Sequence, residues 1–265
     1  MTVDLNPRLE FALDVARKAG ELILGYYQSK SLTIEVKRDS SPVTKADREA
    51  EALIRTHIVR EFPGDGAMGE ELGTFPSANG FNWIVDPVDG TKSFIHGVPL
   101  FGTLIGLEFN KRLVLGVCRF PALNEVVYAL EGAGAWWQSG TEAKREAKVS
   151  RVLRLSDALM CVTTVSGFER IGRYKTFEEL RSAVQLTRGW GDCYGHALVA
   201  TGRADVMVDP LMNPWDAAPF IPILQEAGGH FLDWQGRPSI YSGNGVSVND
   251  LLKDSVIDRL HPVES

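Results

Sequence analysis

Cysteine is scarce in this chain: Cys118, Cys161 and Cys193 are the only three in 265 residues, and no two form a CxxC pair. Such an odd, scattered set fits neither a disulfide scaffold nor a zinc knuckle, and it makes a reducing cytoplasm the expected compartment. Long apolar runs are missing as well. Asp4, Arg8, Glu10, Asp14, Arg17 and Lys18 break up the first stretch, which argues against a signal peptide, and nothing approaches the ~20 apolar residues of a membrane span. There is no excess of positive charge: 28 Lys and Arg stand against 34 Asp and Glu, a net charge of −6. That balance opposes non-specific attraction to nucleic acid or an anionic membrane, so a phosphate ligand would need cations brought with it.

Two phosphate-handling motifs are absent. No GxxxxGK[ST] occurs, which removes a P-loop nucleotide binder, and Cys193 is followed by Tyr194-Gly195-His196 rather than by a CxxxxxR pattern, which removes a phosphocysteine route. His57, His96, His196, His230 and His261 show no HxH or HxxxH spacing and read as surface or packing residues.

What is present is a globular composition, 44% hydrophobic and 23% charged, enough to bury the core of one large or two medium domains. Asn6-Pro7 signals a helix start, and Phe11, Ala12, Val15, Ala16, Ala19, Leu22, Ile23 and Tyr26 recur at helical spacing to about Tyr27. A second helix is predicted from Thr44, with Asp47 completing a capping box, until Pro63-Gly64. Residues 30–41 between them read as a strand and a polar loop. Strands follow at 81–85, 101–109, 113–120 and 125–130, with connections short enough to require antiparallel neighbours. Beyond the polar stretch 139–150, strands at 159–165 and 204–208 alternate with helices near 174–184, 192–201 and 216–227. A domain boundary is expected there, dividing the chain into 1–145 and 146–265. Trp136-Trp137 must face opposite sides of a strand, so one of them is expected to be exposed or at an interface.

The chemistry concentrates in Trp83-Ile84-Val85-Asp86-Pro87-Val88-Asp89-Gly90-Thr91, an apolar strand running into two carboxylates, a glycine and a hydroxyl. Pro87 offers no N–H, the Val88 carbonyl is free to act as an oxygen ligand, and Gly90 permits close backbone approach. Thr91 opens a short helix whose first amides could hold a phosphate. Asp-rich turns often do no more than cap themselves. Two further acidic clusters, Gly69-Glu70-Glu71 and Trp215-Asp216, tip the balance, because gathered carboxylates repel unless something positive lies between them. An all-oxygen set favours Mg²⁺ or Mn²⁺ over zinc.

Val43-Thr44-Lys45-Ala46-Asp47, Gly69-Glu70-Glu71, Asp86-Pro87-Val88-Asp89-Gly90-Thr91 and Pro214-Trp215-Asp216-Ala217-Ala218 stand in the order found in the inositol monophosphatase family, which the chain resembles over essentially its whole length. The resemblance implies an α+β fold, a layered αβαβα sandwich of the kind shared with fructose-1,6-bisphosphatases. It also implies a lithium-sensitive phosphate monoesterase dependent on two to three Mg²⁺ ions, commonly a homodimer. On this resemblance Glu70, Asp86 and the Val88 carbonyl are ligands of a first ion, and Asp86, Asp89 and Asp216 of a second. Glu70 and Thr91 orient the attacking water, Asp47 supports Thr91 and helps to hold a third ion, and the Gly90 and Thr91 amides receive the phosphate. The competing readings are an inositol-1-monophosphatase or broad small-molecule phosphatase and, second, a binding role without catalysis, which some relatives are thought to have.

Within the family, residues 90–99 and 101–107 together with Gly191-Asp192-Cys193-Tyr194 look more like the histidinol-phosphate phosphatases than the inositol enzymes. Asp192, and Asp209 seven residues before Asp216, are then the expected substrate contacts, since a carboxylate pairs with the ammonium and imidazole of histidinol phosphate. Their local alternatives are a helix N-cap for Asp192 and a strand end before Pro210 for Asp209.

Overall fold

A computed structural model describes residues 3–30, 32–37 and 42–261. In chain order the first half comprises α1 Asn6–Leu24, β1 Ile34–Val36, β2 Pro42–Thr44, α2 Lys45–Glu61, β3 Gly66–Gly69, β4 Gly73–Phe75, β5 Phe81–Asp89, α3 Thr91–Ile95, β6 Gly102–Phe109, β7 Arg112–Phe120, β8 Glu125–Leu130, β9 Ala135–Ser139 and β10 Arg145–Glu146. The second half comprises β11 Leu159–Val162, α4 Val165–Arg170, α5 Tyr174–Ala183, β12 Leu186–Arg188, α6 Asp192–Ala200, β13 Val206–Asp209, α7 Pro214–Ala217, α8 Phe220–Glu226, β14 Gly229–Leu232, β15 Gly245–Asn249 and α9 Lys253–Leu260.

Strand alternation builds the layers. Along β5, Trp83 and Val85 point to one face of an eight-stranded sheet ordered β10-β9-β8-β7-β6-β5-β3-β4, where they pack on Ala12, Ala16, Ala50 and Ile54 of α1 and α2. Ile84 points to the other face, joining Leu104, Phe120, Ala197, Phe220 and Ile223 in a core shared with α6 and α8. That helix layer lies against a five-stranded sheet ordered β12-β11-β13-β15-β14, whose far face packs Val162, Val206 and Val248 on Phe168, Phe177 and Val256 of α4, α5 and α9. The result is the expected αβαβα sandwich. Trp136 and Trp137 fall in different cores, as alternation requires, both half-buried; Trp137 lies between the guanidiniums of Arg145 and Arg203. No described helix is long and apolar enough to cross a membrane.

Several boundaries differ from the sequence reading. α1 ends at Leu24 and continues as a turn, with Gly25 still at φ −63° and the Tyr27 N–H on the Ile23 carbonyl, until Gln28 reaches positive φ. The strand expected over 159–165 ends at Val162, and Val165 already belongs to α4. The helix expected over 216–227 is two pieces, α7 and α8, divided at Ala218-Pro219. That break lies flat on the large sheet, where Gly106 and Gly116 pair across β6 and β7: a Cβ at Gly116 would stand 2.1 Å from the Pro219 carbonyl oxygen. The strand expected over 30–41 is present as β1, while residues 31 and 38–41 lie outside the described residues.

Candidate active site

β5 runs further than expected, to Asp89, and carries a bulge: Asp86 pairs with Leu104 and Asp89 with Gly102, so the three steps between the acids oppose two. In a regular strand residues three apart point to opposite faces; the bulge brings Asp86 and Asp89 to the same side, and Pro87, lacking an N–H, is tolerated there. The Pro87 carbonyl accepts from Thr103 Oγ1 (2.9 Å), and Asp86 Oδ1 accepts from the Val88 N–H (2.9 Å), which ties off the irregular backbone. β3 pairs in parallel with β5, Gly69 opposite Val85, so the next residue of each strand, Glu70 and Asp86, arrive side by side.

Asp216 comes from the other half of the chain. Asn213 caps α7, and its backbone N–H donates to Asp216 Oδ2 (2.7 Å), a capping box that orients the carboxylate. Single oxygens of Asp86, Asp89 and Asp216 lie within 4.8 Å of one another. α6 is anchored to the same point, since the Cys193 N–H donates to Asp89 Oδ2 (2.6 Å). Asp47 uses both oxygens: Oδ2 accepts from the Thr44 N–H and hydroxyl (2.8 and 2.5 Å), and Oδ1 faces Thr91 Oγ1 (3.3 Å), which also lies 3.0 Å from the Val88 carbonyl. The capping box read from the sequence is therefore present and still leaves one oxygen for Thr91.

Glu70, Asp86, Val88, Asp89, Gly90, Thr91, Lys92, Asp192, Asn213 and Asp216 surround a cavity of about 210 Å³. Gly90 has φ +81°, and a Cβ there would lie 2.9 Å from the Leu100 carbonyl oxygen, so both conformation and space require glycine. Asp192 is the first residue of α6 and not its cap: Gly191 takes that place, and Asp192 itself has φ +52°, a left-handed conformation that Asp tolerates better than most residues. Its N–H donates to Thr163 Oγ1 (2.8 Å), whose proton goes to Asp209 Oδ2 (2.6 Å). Asp209 does not line the cavity. It sits behind Asp192, buried at the end of β13, and is hydrogen-bonded toward the site through Thr163.

The electrostatics call for cations. Burial, then Glu70, Asp89 and Asp216, hold Asp86 well above the usual carboxylate range; burial, then Asp192 and Asp216, do the same to Asp89. Asp216 is pushed up to about 7 by burial and, among its charged neighbours, chiefly by Glu70. Burial also raises Glu70, Asp47 and Asp192, the last opposed by the Lys92 ammonium. Lys37, just past β1, meets Glu70 at 2.6 Å and Glu71 at 2.5 Å; burial works against its charge, but these two bonds hold it above the ordinary lysine range. A set of crowded, oxygen-only donors that resist ionising together fits hard divalent cations. Burial raises Cys193 well above its ordinary value and pushes Cys161 up to about 12, so neither presents a thiolate.

Lys37, Thr163, Asn213 and the Cys193 N–H escaped the sequence reading. Only Asn213 left a signal, the N-x-x-D spacing to Asp216; the others act through contacts between residues distant in sequence.

Asp209 carries a stability prediction. Burial pushes it up to about 7, so between pH 4 and 7 the folded state binds a proton that the unfolded chain has released, and metal-free stability falls as pH rises through that window. Asp209→Asn keeps an acceptor for Thr163 without the charge. In chelator at pH 8 it is expected to raise Tm by several degrees and to flatten part of the decline; the full shift would be worth about 4 kcal/mol at most. Thermal unfolding of both proteins from pH 4 to 8 checks this, and parallel curves would contradict it.

The sequence profile of the inositol monophosphatase family matches residues 4–263. A histidinol-phosphatase of Chlorobaculum parvum is 46% identical, with 96% of each chain covered, and one of Mycobacterium tuberculosis is 36% identical over 96% of this chain and 97% of its own. Among solved structures, an inositol monophosphatase from Zymomonas mobilis superposes with a TM-score of 0.85 at 31% identity, covering 98% of this chain and 99% of that one. Fold, carboxylate cavity and relatives together define a phosphatase, a hydrolase of phosphoric monoesters. The chain belongs to the inositol monophosphatase family.

Proposed function

We propose that the chain hydrolyses L-histidinol phosphate to L-histidinol in histidine biosynthesis, with Mg²⁺ as the metal and Mn²⁺ a possible substitute. The observation that carries the substrate is Asp192, a half-buried carboxylate on the cavity wall beside Gly90, backed by Thr163 and Asp209. A cationic leaving group gains from that charge, whereas the hydroxyls of inositol 1-phosphate gain far less. The histidinol-phosphatases at 46% and 36% identity support the same choice.

In this reading residues 1–145 supply Glu70, Asp86, the Val88 carbonyl and Asp89, and residues 146–265 supply Asp216 and the substrate contacts. Glu70, Asp86 and Val88 would hold one ion, Asp86, Asp89 and Asp216 a second, and Asp47 a weaker third. Such ions, when bound, acidify a water and take up charge from the phosphate and the departing oxygen. With its proton turned toward Asp47, Thr91 Oγ1 offers lone pairs to the attacking water, which Glu70 aims from the other side. The Gly90 and Thr91 amides receive phosphate oxygens, and Asp192 steers the leaving group. Lithium sensitivity, a homodimer and a cytoplasmic location complete the proposal.

The test compares kcat/KM for L-histidinol phosphate, inositol 1-phosphate and fructose 1,6-bisphosphate. Histidinol phosphate is expected to lead, and Asp192→Asn to reduce its advantage by about 10- to 100-fold, the size of a charge-assisted contact of ~1.5–3 kcal/mol. If inositol 1-phosphate is preferred, or Asp192→Asn leaves the ranking untouched, the general monophosphatase reading takes its place.

A further inference from the structure

Glu51 is an acid that no motif marks, and it is entirely buried. It lies one helical turn after Asp47 on α2, so both carboxylates project from the same face of one rigid helix. Asp47 meets Thr91; Glu51 meets the backbone that follows Glu70. Glu51 Oε2 accepts from the Glu71 N–H (2.7 Å), and Oε1 accepts from the Leu72 N–H (3.1 Å) and from Arg55 Nε (2.8 Å). Arg55, one more turn along, also donates to the Gly73 carbonyl. On the other side of Glu70, a Cβ at Gly69 would stand 2.1 Å from Glu51 Oε1, so the strand can pass only as glycine. The Glu70 N–H is held by the Val85 carbonyl (3.3 Å). Glu70 is thus clamped between β5 and a buried carboxylate of α2.

We propose that Glu51 is a positioning residue: it fixes the backbone of Glu70 and Glu71 so that the Glu70 carboxylate stands beside Asp86 in the geometry needed to bind a divalent cation. The inference rests on the metal-centre reading above. A carboxylate is required because two N–H groups and a guanidinium all need acceptors; a glutamine has one acceptor oxygen, and its NH₂ would face an N–H or the guanidinium. The Glu70 side chain would then lose its register with Asp86 in the metal-free protein while the groups on β5 and α3 stay in place, and a cation bound at saturation would draw the Glu70 carboxylate back to the position from which it aims the water. Glu51 therefore acts on metal affinity more than on turnover.

Glu51→Gln is expected to weaken Mg²⁺ binding about tenfold by titration calorimetry and to raise the half-saturating Mg²⁺ concentration to match, with kcat at saturating Mg²⁺ within about threefold of the parent. Arg55→Lys, a milder change that keeps the charge but loses the fork joining Glu51 to the Gly73 carbonyl, is expected to shift the same constants by about threefold and serves if Glu51→Gln does not fold. A role in stability alone would lower Tm and leave both metal constants at the parent value; that result in the folded variants overturns the proposal. If the parent itself binds no Mg²⁺ and needs none for activity, the metal-centre reading fails first, and the role of Glu51 with it.

Discussion

Asp89→Asn is expected to lower kcat/KM for phosphate release by about 10³-fold or more, a loss of ~4 kcal/mol or more in transition-state stabilisation. Asparagine is nearly isosteric and still offers an oxygen to the Cys193 N–H, so α6 stays attached to β5. What disappears is one negative charge from a group whose oxygens lie within 4.8 Å of those of Asp86 and Asp216, and with it much of the attraction for a divalent cation. In the metal-free protein the same substitution should raise Tm, because Asp89 is held above the usual carboxylate range by burial and then by the charges of Asp192 and Asp216. Activity and stability are thus expected to move in opposite directions, the pattern of a site that carries strain for function. Phosphate release at saturating Mg²⁺, with thermal unfolding in chelator, reads both; a variant with parental activity would refute the assignment of Asp89.

Removing divalent cations should be as damaging. Excess chelator is expected to bring phosphate release down to background, and added Mg²⁺ to restore it, because Glu70, Asp86, Asp89 and Asp216 leave a phosphate dianion facing an acidic cavity. The same ions should stabilise the fold by mass action, about 2.7 kcal/mol at a hundredfold excess over Kd. The pH dependence gives the sign. Asp216, pushed up to about 7, must lose its proton to serve as a ligand, so Mg²⁺ affinity should rise between pH 6 and 8, by about tenfold if one proton is displaced. Over the same interval the metal-free protein becomes less stable, since its folded state holds protons that the unfolded chain has released. Unfolding curves with and without Mg²⁺ should therefore separate as pH rises. Undiminished activity in chelator, or separation that shrinks with pH, would count against a metal centre.

Much of this molecule was legible because its signals are local. The 3.6-residue recurrence in α1, the Thr44–Asp47 capping box and the apolar run leading into Asp86-Pro87-Val88-Asp89 each depend on a few neighbouring residues. The errors were local too, and their causes were not. The pattern turns acidic after Val85 and predicts the strand's end there, yet pairing with β6 carries it through a bulge to Asp89. The single helix over 216–227 became two because Ala218-Pro219 had to lie against Gly106 and Gly116, more than a hundred residues earlier.

The sequence by itself determined which residues could bear charge, where helices start, and that the carboxylates near Asp86 would need a counter-charge, since propensity, capping and charge are properties of a residue and its near neighbours. Which carboxylates meet was decided only by the tertiary structure. Parallel pairing of β3 with β5 sets Glu70 beside Asp86, the Cys193 N–H draws α6 and Asp192 to Asp89, and the bed of glycines under α7 and α8 brings Asp216 to the same cavity. Asp209 shows the limit most clearly: seven residues before Asp216 on the chain, it ends behind Thr163, because its direction is set by β13 within a buried sheet and not by its spacing from the other acids.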